Sequence, residues 1–118
     1  MELPRKALLA EFREITRIPN AIKSGRANLN APIPERFCLG KGHVTFFYDK
    51  IGYLAHRYAA LYLESVSRGY NVQDKMEAFH NVDADQFGFW FPDDQDRAIT
   101  VARLEERGHV LLATPTTF

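Results

Sequence analysis

The sequence predicts an all-α fold, a compact three-helix single domain over residues 1–118 with long irregular connecting loops. Three observations carry that expectation: two apolar stripes at helical spacing, and a third segment with acids at its start and arginines in its last turns. The first stripe runs through Leu8, Phe12, Ile15 and Ile22, with Leu9 and Ile18 beside it, at the three- and four-residue steps of one helix face. Its helix should begin at about Pro4, since a first-turn proline gives up an N–H that would have no partner. Pro19 should kink that helix or end it before residues 21–24 resume, and Gly25 is the expected stop.

Residues 26–50 hold two prolines and no sustained period, so they read as loop with short turns. Loops this long in compact domains are often functional, which draws attention to Gly40-Lys41-Gly42-His43. The second stripe, Leu54, Tyr58, Leu61, Tyr62 and Ser65, predicts a helix over about residues 51–68 with Gly69 as its cap. The aromatic cluster Phe87, Phe89, Trp90 and Phe91 is expected to fill core beneath a loop, with a base-stacking platform as the alternative. The third helix should start between Asp93 and Asp96 and end at Arg107 before Gly108, its end charges complementing the macrodipole.

Composition sets the outer bounds. A chain of 118 residues that is 46% hydrophobic has material for one core and no more. No apolar run approaches the ~20 residues that span a bilayer, and the charged N-terminus MELPRKALLAEFREI is not a signal peptide, so no membrane partner and a cytoplasmic location are expected. Cys38 is the single cysteine, which excludes an internal disulfide. The zero net charge conceals a polarised chain: eleven Lys/Arg against six Asp/Glu up to Gly69, then four against nine. A basic binding face opposite an acidic one would give that pattern, and so would scattered surface charge.

On the first helix Lys6, Arg13 and Arg17 fall close to one face, with Glu14 beside Arg13 and one turn before Arg17. Such a stripe is either a solvated face with local ion pairs or a set of phosphate contacts around a carboxylate suited to proton shuttling or to a developing cation. Glu14, Arg13 and Arg17 are expected together on an exposed concave face, bordered by Arg103 or Arg107, which lie one turn apart on the third helix. The spacing around His43 is wrong for a phosphate-binding P-loop, and a Cys38/His43 nucleophilic pair lacks an orienting partner. His43, His56, His80 and His109 are too scattered for a metal site, so no metal and no cofactor are expected.

Two segments are more specific. Leu-Leu-Ala-Glu-Phe-Arg-Glu-Ile at 8–15 and Gly-His-Val-Thr-Phe-Phe-Tyr-Asp-Lys at 42–50 resemble the signature segments of the pyrimidine-dimer DNA glycosylase/AP-lyase family, the small phage-type enzymes that excise ultraviolet photoproducts. Arg-Gly-Tyr-Asn-Val at 68–72 and Ala-Arg-Leu-Glu-Glu-Arg at 102–107 continue the resemblance in order. It implies a monomeric, metal-free helical enzyme that recognises cyclobutane pyrimidine dimers in duplex DNA, attacks C1′ with an N-terminal α-amine, and cuts the strand by β-elimination from an imine. It also implies Glu14 as the catalytic glutamate, Arg13 and Arg17 as lesion-pocket arginines, and Arg103 and Arg107 near phosphates. His43 falls on the signature histidine, as DNA contact or structural hydrogen-bonder, and Lys6 joins the DNA-binding set.

Family members carry a threonine-led segment of roughly ten residues before the first helix and an aromatic, basic C-terminal tail. This chain has counterparts of neither, so a chain truncated at both ends and without the nucleophile is the expectation. A catalytically silent DNA-binding homologue and a helical protein-interaction domain stay open as alternatives.

Overall fold

The computed structural model describes residues 3–39 and 42–106, and the helices that the apolar stripes predict supply its framework. α1 spans Arg5–Glu14, α2 Arg17–Lys23, α3 the single turn His43–Phe46, α4 Ile51–Ser67 and α5 Asp94–Glu106. Two short 3₁₀ turns, Met76–Phe79 and Ala84–Gln86, lie between α4 and α5. The fold is all-α, as expected, with no β-strand among the described residues. Gly25 and Gly69 follow α2 and α4 with positive φ of 78° and 82°, the left-handed stops expected of them.

The first expected helix is two helices, and its break lies one turn before the proline that causes it. Pro19 has no N–H for the carbonyl of Ile15, and a proline ring clashes with the carbonyl four residues back. The helical ladder is therefore interrupted at Ile15 and Thr16, while Pro19 itself sits in the first turn of α2, where N–H groups have no helical partner. Pro4 caps α1 from outside: its carbonyl accepts the N–H of Leu8 at 2.9 Å.

α4 is the buried centre, and α1 lies against it. Leu8 on α1 and Ile51 and Tyr58 on α4 are fully buried, and the Phe12 and Tyr58 rings stack at 5.1 Å. A second, aromatic part of the core gathers at the start of α4, where Trp90 stacks on Phe37 at 5.5 Å and meets Phe46 and Tyr53 edge-on at 5.2 and 5.0 Å. Only Trp90 of its cluster fills core as expected. Phe87, Phe89 and Phe91 stay exposed while Trp90 turns inward onto the core.

The same segment closes the first turn of α4. The carbonyl of Gly88 accepts the N–H of Tyr53 at 3.1 Å, and the N–H of Gly88 donates to the carbonyl of Asp49 at 3.2 Å. No side chain fits at this crossing. A Cβ on Gly52 would lie 2.8 Å from the Gly88 carbonyl oxygen, and one on Gly88 would collide with the Asp49 carbonyl.

α5 is held by its beginning. Asp93 and Asp96 exchange backbone-to-carboxylate hydrogen bonds, both 2.9 Å, and Arg36 reaches across from the long loop to Asp93 at 3.3 Å and Gln95 at 2.9 Å.

Two outcomes follow from these contacts. Gly88→Ala should destabilise the fold by about 1–3 kcal/mol through overpacking, read as a lower urea midpoint at an unchanged m-value. The backbone N–H of Asp96, with help from Arg36, holds the Asp93 carboxyl below its ordinary 3.8. A depressed carboxyl stabilises the folded state above its unfolded pKa and loses that contribution as pH falls through the folded value. Amide-exchange protection in the first turn of α5 should therefore drop below about pH 4, and in Asp93→Ala, which has no acceptor for the Asp96 N–H, it should be low at every pH.

Candidate nucleic-acid interface

Two concavities flank α1, and they divide the residues singled out in the sequence. The first is a cavity of about 370 Å³, at the lower end of the ~300–1,000 Å³ typical of ligand pockets. Leu3, Ala7, Glu14 and Ile15 bring one flank of α1 to it, Arg17 comes from α2, His43 from α3, Tyr53 and Arg57 from α4, and Thr100 and Arg103 from α5. The second is an open groove on the other flank, lined by Arg5, Lys6 and Arg13 from α1 and by Asn71, Gln73 and Lys75 after α4.

Glu14, Arg17 and Arg103 thus share a cavity with His43, while Lys6 and Arg13 face away from it. The stripe expected from Lys6 through Arg13 to Arg17 presupposes an unbroken helix; the interruption at Ile15 and Thr16 separates Arg17 from it. Arg107 lies outside the described residues.

Glu14 and Arg17 are both exposed, and neither makes an ion pair among the described residues. The carboxylate stabilisation expected from flanking arginines is therefore not formed inside the protein, and both groups are available to a ligand. Arg103 has a loose contact with Glu106 at 3.6 Å, an exposed pair of little energetic weight.

His43 is fixed by its surroundings. Gly42 enters α3 with a φ of 90°, a conformation that favours glycine, and the imidazole packs edge-on between Phe37 and Phe47. Its Nδ1 lies 2.9 Å from the carbonyl oxygen of Cys38. A carbonyl only accepts, so Nδ1 carries the proton, and in the neutral ring Nε2 is an acceptor.

The cavity's deepest charges are ones the sequence reading did not single out. Arg57 on α4 is 6% exposed and meets the Glu11 carboxylate in a bidentate pair, Nε at 2.7 Å and a terminal nitrogen at 3.0 Å. Burial alone would lower the guanidinium pKa; the adjoining carboxylate outweighs it, and the net shift is upward. A signal was present, because Arg57 falls on the same α4 face as Leu54, Tyr58 and Leu61, and a charge on an apolar stripe needs a buried partner. Tyr53 beside it is pushed up to about 12, mainly by burial and against the pull of Arg57, so its phenol stays protonated at neutral pH and cannot serve as a base.

No group of three or more His, Cys, Asp or Glu among the described residues is arranged to hold a metal ion. No helix among them is long and apolar enough to cross a membrane. In comparison with known proteins, a family model described as pyrimidine dimer DNA glycosylase matches residues 1–78. That stretch contains Glu11, Glu14, Arg17, His43 and Arg57; α5 with Arg103 lies beyond it.

The buried pair makes a testable claim of its own. Glu11→Ala removes the bidentate carboxylate from a guanidinium that stays buried, and should cost about 3 kcal/mol in urea unfolding, the low end for a broken buried pair because Glu11 is one-third exposed. Glu11→Ala combined with Arg57→Met should recover much of the loss. A single variant as stable as the parent would contradict the assignment.

Proposed function

The chain belongs to the pyrimidine dimer DNA glycosylase family, and from that premise we propose that it excises cyclobutane pyrimidine dimers from duplex DNA by glycosylase and AP-lyase chemistry in the cavity beside α1. The observation that carries this reading is the meeting of Glu14, Arg17 and Arg103 in one cavity. It gathers an uncommitted carboxylate and two phosphate-directed cations where a nucleotide would need them.

In this reading a neutral α-amine attacks C1′ of the dimer's 5′ nucleotide. The C1′–N bond breaks, its electron pair leaves with the pyrimidine, and the pyrimidine takes up a proton. Ring opening of the sugar leaves an imine between the amine and C1′. Loss of a proton from C2′ then expels the 3′ phosphate with the C3′–O bonding pair, which cuts the strand. The amine suits the task because an α-amino group has an unperturbed pKa of about 7.7–8.0 and is partly neutral at physiological pH.

Glu14 has two duties open to it: accepting the C2′ proton and stabilising the cationic intermediate. Arg17 and Arg103 bind phosphate oxygens on either side of the lesion. His43 is held by Cys38 and the aromatic core, so it acts as a preset polar contact on the cavity wall. Leu3 lines the same cavity, its carbonyl tied to Arg68 at 2.6 Å. An amine carried on a segment preceding Leu3 has to run back along α1 by about 15 Å to meet Glu14, at 1.5 Å per helical residue.

The test uses the chain carrying a processed Thr-Arg-led segment of about ten residues, which has ample reach at ~3.3 Å per extended residue. With a dimer-containing duplex it should form an imine that borohydride traps. In that protein Glu14→Gln should lower the lyase rate by about 10²-fold or more and leave dimer binding in place. Absence of trapping in a protein whose helices are intact by circular dichroism, or full activity in Glu14→Gln, would overturn the proposal.

A further inference from the structure

Resting on that reading, we infer that the groove on the other flank of α1 holds the phosphodiester backbone of the same DNA, as an anchoring surface that runs over Ala10 into the cavity.

The charge of the groove is one-sided. Arg5, Lys6, Arg13 and Lys75 line the groove, and no carboxylate does. The chain as a whole is balanced, with fifteen basic and fifteen acidic residues. Elsewhere six of the nine described cations, Arg36, Lys50, Arg57, Arg68, Arg97 and Arg103, each meet a carboxylate, while Arg17, Lys23 and Arg26 do not. The groove's four meet none among the described residues. Neither acid adjoining these cations in sequence lines the groove: Glu14 faces the cavity, and Asp74 has Oδ1 occupied by the N–H of Met76. Four uncompensated cations in one concavity make a site for a polyanion.

The groove is also built rather than incidental. Tyr58 stacks on Phe12 of α1, and its hydroxyl accepts the N–H of Lys75, so one buried side chain fixes both walls. The Arg5 guanidinium lies over the Tyr70 ring, 5.2 Å from its centre. Asn71 and Gln73 add amide donors between the cations, which suit phosphate oxygens.

Continuity with the cavity selects DNA over an acidic protein. Ala10 lines both concavities and is the single residue they share. Its side chain is a single methyl group, so in the inferred path a strand held in the groove crosses α1 at Ala10 toward Glu14 and Arg17.

The experiment compares the parent with Lys6→Gln combined with Lys75→Gln, two exposed side chains without bonding partners among the described residues, on short undamaged and dimer-containing duplexes across a salt series. The double variant should bind both duplexes more weakly by the same factor. Its slope of log K against log salt should be shallower by about 1.8, from about 0.9 per phosphate contact, with the preference for the dimer unchanged. Unchanged affinity and slope on both duplexes would overturn the groove, and so would a loss confined to the dimer-containing duplex. A parent that binds both duplexes alike, with a slope that still falls in the double variant, supports the groove and removes the lesion reading instead.

Discussion

A guanidinium that is 6% exposed cannot be left without a carboxylate except at a cost of several kcal/mol, and Arg57 therefore decides where α1 lies. Its partner Glu11 sits one residue before Phe12, whose ring stacks on Tyr58, the residue after Arg57. An ion pair and a ring stack at adjacent positions on both helices fix α1 on α4 in rotation as well as in register. Once α1 is seated, one flank closes against the aromatic core and α5 to make the cavity. The other flank faces residues 71–75 to make the groove.

The second constraint is covalent. Pro19 withholds one hydrogen bond and interrupts the helix a turn earlier, at Ile15 and Thr16. The interruption parts Arg17 from the stripe of Lys6 and Arg13 and leaves it on the Glu14 side of α1. Glu14 owes its availability to the same geometry, because neither neighbouring arginine pairs with it. A carboxylate with no ion-pair partner among the described residues and two cations lining the same cavity form a site preset for a ligand that brings its own negative charge and, in the proposed chemistry, a transient positive one.

Much of the fold was legible in the residues. The α4 stripe, the glycines at 25 and 69 and the charged ends of α5 act locally, through helix periodicity and backbone conformation, and the elements they predict are present. The grouping of Glu14 with Arg17 and Arg103 was also anticipated. What failed was long-range or directional. Projecting Arg13 and Arg17 onto one ideal helix ignored the reach of a proline to the carbonyl four residues before it. The exposure of Phe87, Phe89 and Phe91 goes with a chain path pinned by the crossing at Gly52 and Gly88, which composition does not encode. The Glu11–Arg57 pair joins residues 46 apart in sequence, and only the misplaced charge on the α4 stripe hinted at it.

In the proposed function α1 separates two roles: a cavity on the Glu14 side that meets the lesion, and a groove on the Lys6 side that meets backbone. Backbone and arginine side-chain resonances, followed while the protein is titrated with undamaged duplex and then with duplex carrying one dimer, test that division directly. Signals of Arg5, Lys6, Arg13 and Lys75 should shift with both duplexes, and those of Glu14, Arg17, Thr100 and Arg103 should undergo a further shift that only the dimer produces. Dimer-specific shifts on the groove side, or a cavity whose signals do not distinguish the two duplexes, would contradict it.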